Sequence, residues 1–269
     1  MRDGDETTVR SLSILGGRDK AGQAETLDLE LQAGDVLCVV GPTGSGKSRL
    51  LADIECLAQG DTPSGRRILI NGVPPAPGWR YSTDRKLVAQ VSQNMNFVVD
   101  LSVAEFIAMH AACRHVPDPK AAADAVIARA NDLAGERFAA SVSLTQLSGG
   151  QTRALMIADT ALLSASPVVL IDEIENAGID RKKALDLLMA EEKIVVLSTH
   201  DPILALLGRR RVFVSNGAVA GIIETSAAER ANLAALERLD RGLMEVRQRL
   251  RGGQRLDSPL EWLADWGKD

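Results

Sequence analysis

Apolar and polar residues alternate over residues 6–15 and 26–32, the two-residue period of strands with one buried face. The turn Gln32–Asp35 leads into VLCVV, Val36 to Val40, an unbroken apolar run. A glycine-rich loop follows, and then the helical stretch Leu50 to Ala58. That order predicts strand, tight loop and helix. RRILING reads as a strand ending in an Asn-Gly turn, and VPPAPGWRYS, with its three prolines, as a surface loop. KLVAQVSQ, Lys86 to Gln93, is a further apolar strand.

From Ser102 the pattern becomes alanine-rich and helical, and residues 101–146 read as a helical insertion. LSGGQ opens another helix. PVVLIDE is continuously apolar up to its acids, as a parallel strand buried on both faces must be. RKKALDLLMAEE predicts a helix, KIVVLSTH a strand and PILALLGR a short helix. RVFVSNGAVAGI reads as a hairpin about Asn216-Gly217. Strands alternating with helices predict a parallel sheet covered by helices on both faces. One unit is expected over residues 1–224 and a helical C-terminal extension over 225–269. In that extension Leu236, Leu239, Leu243, Val246 and Leu250 step by three and four residues. About two heptads, weakened by Gly242, favour a helix lying on its own domain over a dimerisation helix.

Composition narrows the class. The chain has 269 residues, 45% hydrophobic and 25% charged, ordinary for a soluble globular protein. A net charge of −5 argues against a nucleic-acid binder. Cys38, Cys56 and Cys113 are far apart, which points to a reducing compartment and no disulfide framework. The start, MRDGDETTVR, lacks the apolar core of a signal peptide. No run reaches the ~18 apolar residues of a membrane helix. A cytoplasmic location is expected, and any membrane role needs another chain.

The candidate chemistry begins at GPTGSGKS. Gly41, Pro42, Thr43, Gly44, Ser45 and Gly46 form a loop whose N–H groups can converge on an anion. The helix that follows adds its N-terminal dipole, Lys47 a positive charge and Ser48 a hydroxyl for Mg²⁺. The spacing matches a P-loop. Asp172 and Glu173 end a buried strand, at the sheet edge where ligands bind. One of these carboxylates can hold Mg²⁺ and the other can orient or deprotonate a water. His200 ends a strand at the same edge, and Gln93 ends KLVAQVSQ. In LSGGQ, Ser148 starts a helix while Gly149, Gly150 and Gln151 present its positive end, forming a second phosphate site.

The order P-loop, Gln93, LSGGQ, VVLIDE, STH resembles the ATP-binding cassette (ABC) ATPase family over about residues 6–224. The resemblance implies a P-loop NTPase core with a parallel sheet, an N-terminal antiparallel β layer and a helical subdomain. It implies ATP and Mg²⁺ as cofactors. It gives Asp172 the metal and Glu173 the catalytic role. His200 then contacts the γ-phosphate, and Gln93 sits near metal and water. It further implies a second ABC subunit whose signature closes on this chain's ATP. NAGID becomes the loop crossing that interface, with Asp180 as its acid.

Two departures change the expectation. No Phe, Tyr or Trp precedes Trp79, which leaves Arg18 or an aliphatic residue as candidates to cover the base, and weaker adenine selectivity is expected. Ile174 stands where transporter cassettes usually have proline, as in cassettes that drive assembly rather than transport. Hydrolysis is expected to survive, because the carboxylates are untouched. The partner is then a membrane permease chain or, alternatively, a soluble client protein; nucleic acid ranks last.

Overall fold

The computed structural model describes residues 8–81, 86–92, 95–173, 178–257 and 260. They fall into two compact units divided between Glu224 and Thr225. In the first, β1 (Ser11–Leu15) pairs antiparallel with both β2 (Asp28–Gln32) and β4 (Arg67–Ile70). The larger sheet has the order β5-β6-β7-β3-β8-β9. It holds β3 (Val36–Val40), β5 (Val88–Val91), β6 (Val168–Asp172), β7 (Ile194–Ser198), β8 (Arg210–Ser215) and β9 (Ala218–Glu224). Its pairings are parallel except β8 with β9. The expected class, a parallel sheet beside an antiparallel layer, is the one observed.

The apolar runs explain the layering. In β3, Leu37 and Val39 face one core while Cys38 faces the other. The first core joins the sheet to the antiparallel layer and to Leu50, Leu51 and Ile54 of α1 (Lys47–Glu55). The second lies under α5 (Gly149–Leu162), α6 (Arg181–Ala190) and α7 (Pro202–Leu207). A third core joins α3 (Val103–Cys113) and α4 (Pro119–Leu133) to α5. Ser102 and Asp118 cap α3 and α4.

Two expectations fail. β1 is not half-buried: Ser11 and Ser13 are covered along with Leu12 and Ile14, so both faces of the strand are enclosed. VPPAPGWRYS is not all loop: Pro77–Tyr81 forms the short helix α2. Proline is tolerated at a first helical position because its missing N–H has no partner there. Trp79 packs against the first core and Arg80 pairs with Asp61 at 2.7 Å, which holds the turn in place.

A buried ionic group crosses these layers. Arg66 is fully buried and reaches Glu25 at 2.7 and 2.8 Å and Asp53 of α1 at 2.9 Å. Burial works against the guanidinium charge, but hydrogen bonds and charges from Glu25 and Asp53 outweigh it and push its pKa above the usual value. The same side chain donates to Gly217 O at 2.8 Å. Gly217 N in turn donates to Ser45 O at 2.6 Å. The β8–β9 turn is thus tied to both the antiparallel layer and the glycine-rich loop.

The second unit contains α8 (Ala227–Arg251), whose Ser226 and Glu229 form a capping box. Gly242 does not interrupt it. On its apolar stripe Leu243 and Leu250 are exposed. Among the described residues no helix is long and apolar enough to cross a membrane.

Candidate functional site

Strand β3 ends at Val40, and the chain then turns through three glycines at positive φ: 152° at Gly41, 77° at Gly44 and 114° at Gly46. Two of them are also held by close approach. A Cβ at Gly41 would lie 2.4 Å from Val214 O, and one at Gly46 would lie 2.8 Å from Gly217 Cα. Gly44 has open space around the same position, so only its positive φ calls for glycine. The loop delivers Lys47 and Ser48 to the first turn of α1.

Lys47 Nζ donates to Gly41 O at 2.8 Å and Pro42 O at 3.2 Å, and lies 3.2 Å from His200 Nε2. His200 Nε2 is also 3.9 Å from Glu173 Oε1. Glu173 has a φ of 53°, a left-handed conformation costly for any residue but glycine. Its backbone N donates to Ser198 O at 3.0 Å, which holds that turn directly off the strand.

A cavity of about 270 Å³ is lined by Thr43, Gly44, Gly46, Lys47, Ser48, Arg49, Asp172, Glu173, Ser198 and His200. The fold therefore brings together the P-loop, both candidate acids and the histidine. The other predicted residues that are described lie outside its lining or form its walls through the loop. Gln93 and Ile174 fall outside the described residues. Ser148 caps α5 in a capping box with Gln151, at 3.3 and 2.9 Å. Ser148 and Gly149 are exposed and Gly150 half-buried, none of them in the cavity. Asp180 caps α6 through Lys183 N at 3.1 Å, also outside the cavity. Arg18 is engaged through its backbone, donating to Ser64 O at 2.6 Å.

Three residues escaped the sequence reading. Arg49 lines the cavity one position past Ser48. Lys20 donates to Gly44 O at 2.8 Å, a contact across 24 positions with no local signal. Ser198 looks like the tail of an apolar strand, and only sheet register brings it beside Asp172.

The donor set suits a nucleotide with Mg²⁺. Among the described residues no three His, Cys, Asp or Glu side chains are placed to hold one metal ion, so no all-protein cage for a transition metal is formed. One carboxylate, Asp172, and one hydroxyl, Ser48, next to an anion cradle match an ion that takes most of its ligands from phosphate and water.

Comparison with known proteins shows the family. The family model described as ABC transporter matches residues 24–176. An uncharacterized ABC transporter ATP-binding protein of Methanocaldococcus jannaschii is 48% identical over 92% of this chain and 95% of its own length. A pyoverdine export ATP-binding/permease protein, PvdT, of Pseudomonas savastanoi pv. phaseolicola is 30% identical, and the chain spans only 34% of that larger protein. Among solved structures, cbiO1 of Clostridium perfringens superposes with a TM-score of 0.63 at 21% identity, over 87% of this chain and 98% of that one.

Proposed function

The chain belongs to the ABC transporter family, and on that premise we propose that it is a Mg²⁺-dependent ATPase subunit that dimerises around ATP and drives a membrane permease. The observation that carries this reading is the line Lys47 Nζ, His200 Nε2, Glu173 Oε1, with separations of 3.2 and 3.9 Å at the mouth of the P-loop cavity. It supplies a cation for phosphate, a ring nitrogen for the terminal phosphoryl group and a carboxylate for water.

Each residue then has a task. The loop N–H groups of residues 43–48 and the Lys47 ammonium hold the phosphates. Ser48 and Asp172 would hold Mg²⁺, and Gln93 belongs to the same assignment. When bound, that ion neutralises charge on the phosphate oxygens. Glu173 orients the attacking water and takes its proton, while His200 contacts the γ-phosphate. Ser148, Gly149, Gly150, Gln151 and Asp180 serve the ATP of a second subunit. Their positions outside their own cavity support that division of labour.

No Phe, Tyr or Trp lines the cavity among the described residues, so recognition falls on the triphosphate. GTP is expected to compete with ATP at comparable concentration in a nucleotide-displacement assay. A strong preference for ATP would show that the base is read by a group outside that lining.

The relatives named as transporter ATP-binding proteins support a permease partner, acting at the inner face of the cell membrane. Ile174 supports the second reading, a soluble client. The deciding experiment uses a tagged Glu173→Gln chain, extracted in mild detergent with ATP and Mg²⁺. Co-purification of a polytopic membrane protein is expected. A soluble partner that appears only with ATP, with no membrane chain, would replace the transporter reading.

A further inference from the structure

Ser198 ends β7 and is 1% exposed, yet its hydroxyl has no hydrogen-bond partner among the described residues. Folded chains avoid such orphans unless something else uses them. The strand pattern says what faces it. Along β7, Ile194 and Val196 enter the core beneath α1, while Val195 and Leu197 enter the opposite core. The two-residue period therefore turns Ser198 to the α1 side. Along β6, Val168 and Leu170 lie on the α1 side and Val169 and Ile171 on the other, so Asp172 follows the same course. Asp172 and Ser198 are register partners across β6 and β7. Both line the cavity together with Ser48 from α1. The residues that carry a carboxylate, a helix hydroxyl and an orphan hydroxyl thus border one volume.

We propose that Ser198 is a positioning residue for the divalent cation of the nucleotide: its Oγ accepts a hydrogen bond from a water of the Mg²⁺ hydration shell. This rests on reading the cavity as a Mg²⁺–ATP site. The chemistry fits, because Mg²⁺ sheds its waters reluctantly and is bound largely through them. A shell water has protons to donate, and a neutral buried hydroxyl is an acceptor that adds no charge. Ser198 touches neither the phosphates nor the attacking water in this role. It sets where the ion sits relative to Asp172.

The test uses the full chain and Mn²⁺ as the probe, followed by electron paramagnetic resonance with saturating ADP. Ser198→Ala is expected to weaken Mn²⁺ affinity about three- to tenfold, the worth of one hydrogen bond. Affinity for ADP in EDTA should be unchanged. The Tm of the nucleotide-free variant should rise, because an unpartnered hydroxyl leaves the interior. Ser198→Thr, which keeps the hydroxyl, should recover Mn²⁺ binding. Equal Mn²⁺ affinity in wild type and Ser198→Ala would overturn the role, as would a lower Tm for the nucleotide-free alanine variant, the mark of a purely structural serine. A wild-type chain whose ADP binding takes up no Mn²⁺ would instead remove the Mg²⁺–ATP reading itself.

Discussion

Glu173→Gln is expected to lower ATP turnover by roughly 10²- to 10⁴-fold, the range of a positioned general base. The amide keeps the shape and can still hydrogen-bond a water, but it cannot take the proton. ATP binding should persist, because the loop, Lys47 and Ser48 are untouched. The geometry sharpens this expectation. Glu173 sits at a φ of 53°, and its backbone N is held by Ser198 O at 3.0 Å, so a change of one side-chain atom leaves the turn intact. Phosphate release under single-turnover conditions measures the loss. A variant that hydrolyses at the wild-type rate would remove Glu173 from the chemical step. With turnover blocked, the reading of Ser148–Gln151 as serving a second subunit also becomes measurable. The variant should form a dimer with ATP and not with ADP in light scattering.

The second large effect is on stability. Arg66→Met should cost about 3–5 kcal/mol, because it leaves two buried carboxylates without their cation. Glu25 and Asp53 are both fully buried or nearly so, and both depend on this guanidinium. Methionine fills much of the volume, so the loss reports charge and hydrogen bonding more than a cavity. Urea unfolding followed by circular dichroism gives the number. The effect should reach the nucleotide as well. Arg66 holds Gly217 O, and Gly217 N holds Ser45 O in the glycine-rich loop. At urea concentrations where the variant is still folded, its ATP affinity should be lower than wild type. A variant that unfolds at the wild-type midpoint would mean the ion pair contributes nothing net.

Much of this site was legible because its residues carry local constraints. The glycines at 41, 44 and 46 mark positive φ, and two of them also mark backbone contacts that any side chain would obstruct. Asp172 and Glu173 were readable as the ends of an apolar run that had to be a buried strand. What escaped depends on distant partners. Arg66, Glu25 and Asp53 come from three separate segments, and nothing near any of them announces the others. Ser198 matters only through its register with Asp172, set by pairing across β6 and β7. The helix α2 was hidden by its prolines, which signal a loop in isolation but permit a helix when Trp79 has a core to enter. Gln93 and Ile174 lie outside the described residues, so their roles rest on the motif alone.

The contact between Gly46 and Gly217 also bears on synthesis. The glycine-rich loop leaves the ribosome early, but the turn on which it rests lies some 170 positions later, near the end of the first unit. A nascent chain stopped before that turn has every residue of the phosphate motif and no wall behind it. Contacts so distant in sequence form late. The growing polypeptide is therefore expected to capture ATP only once its last hairpin has emerged, so that nucleotide binding marks a finished domain.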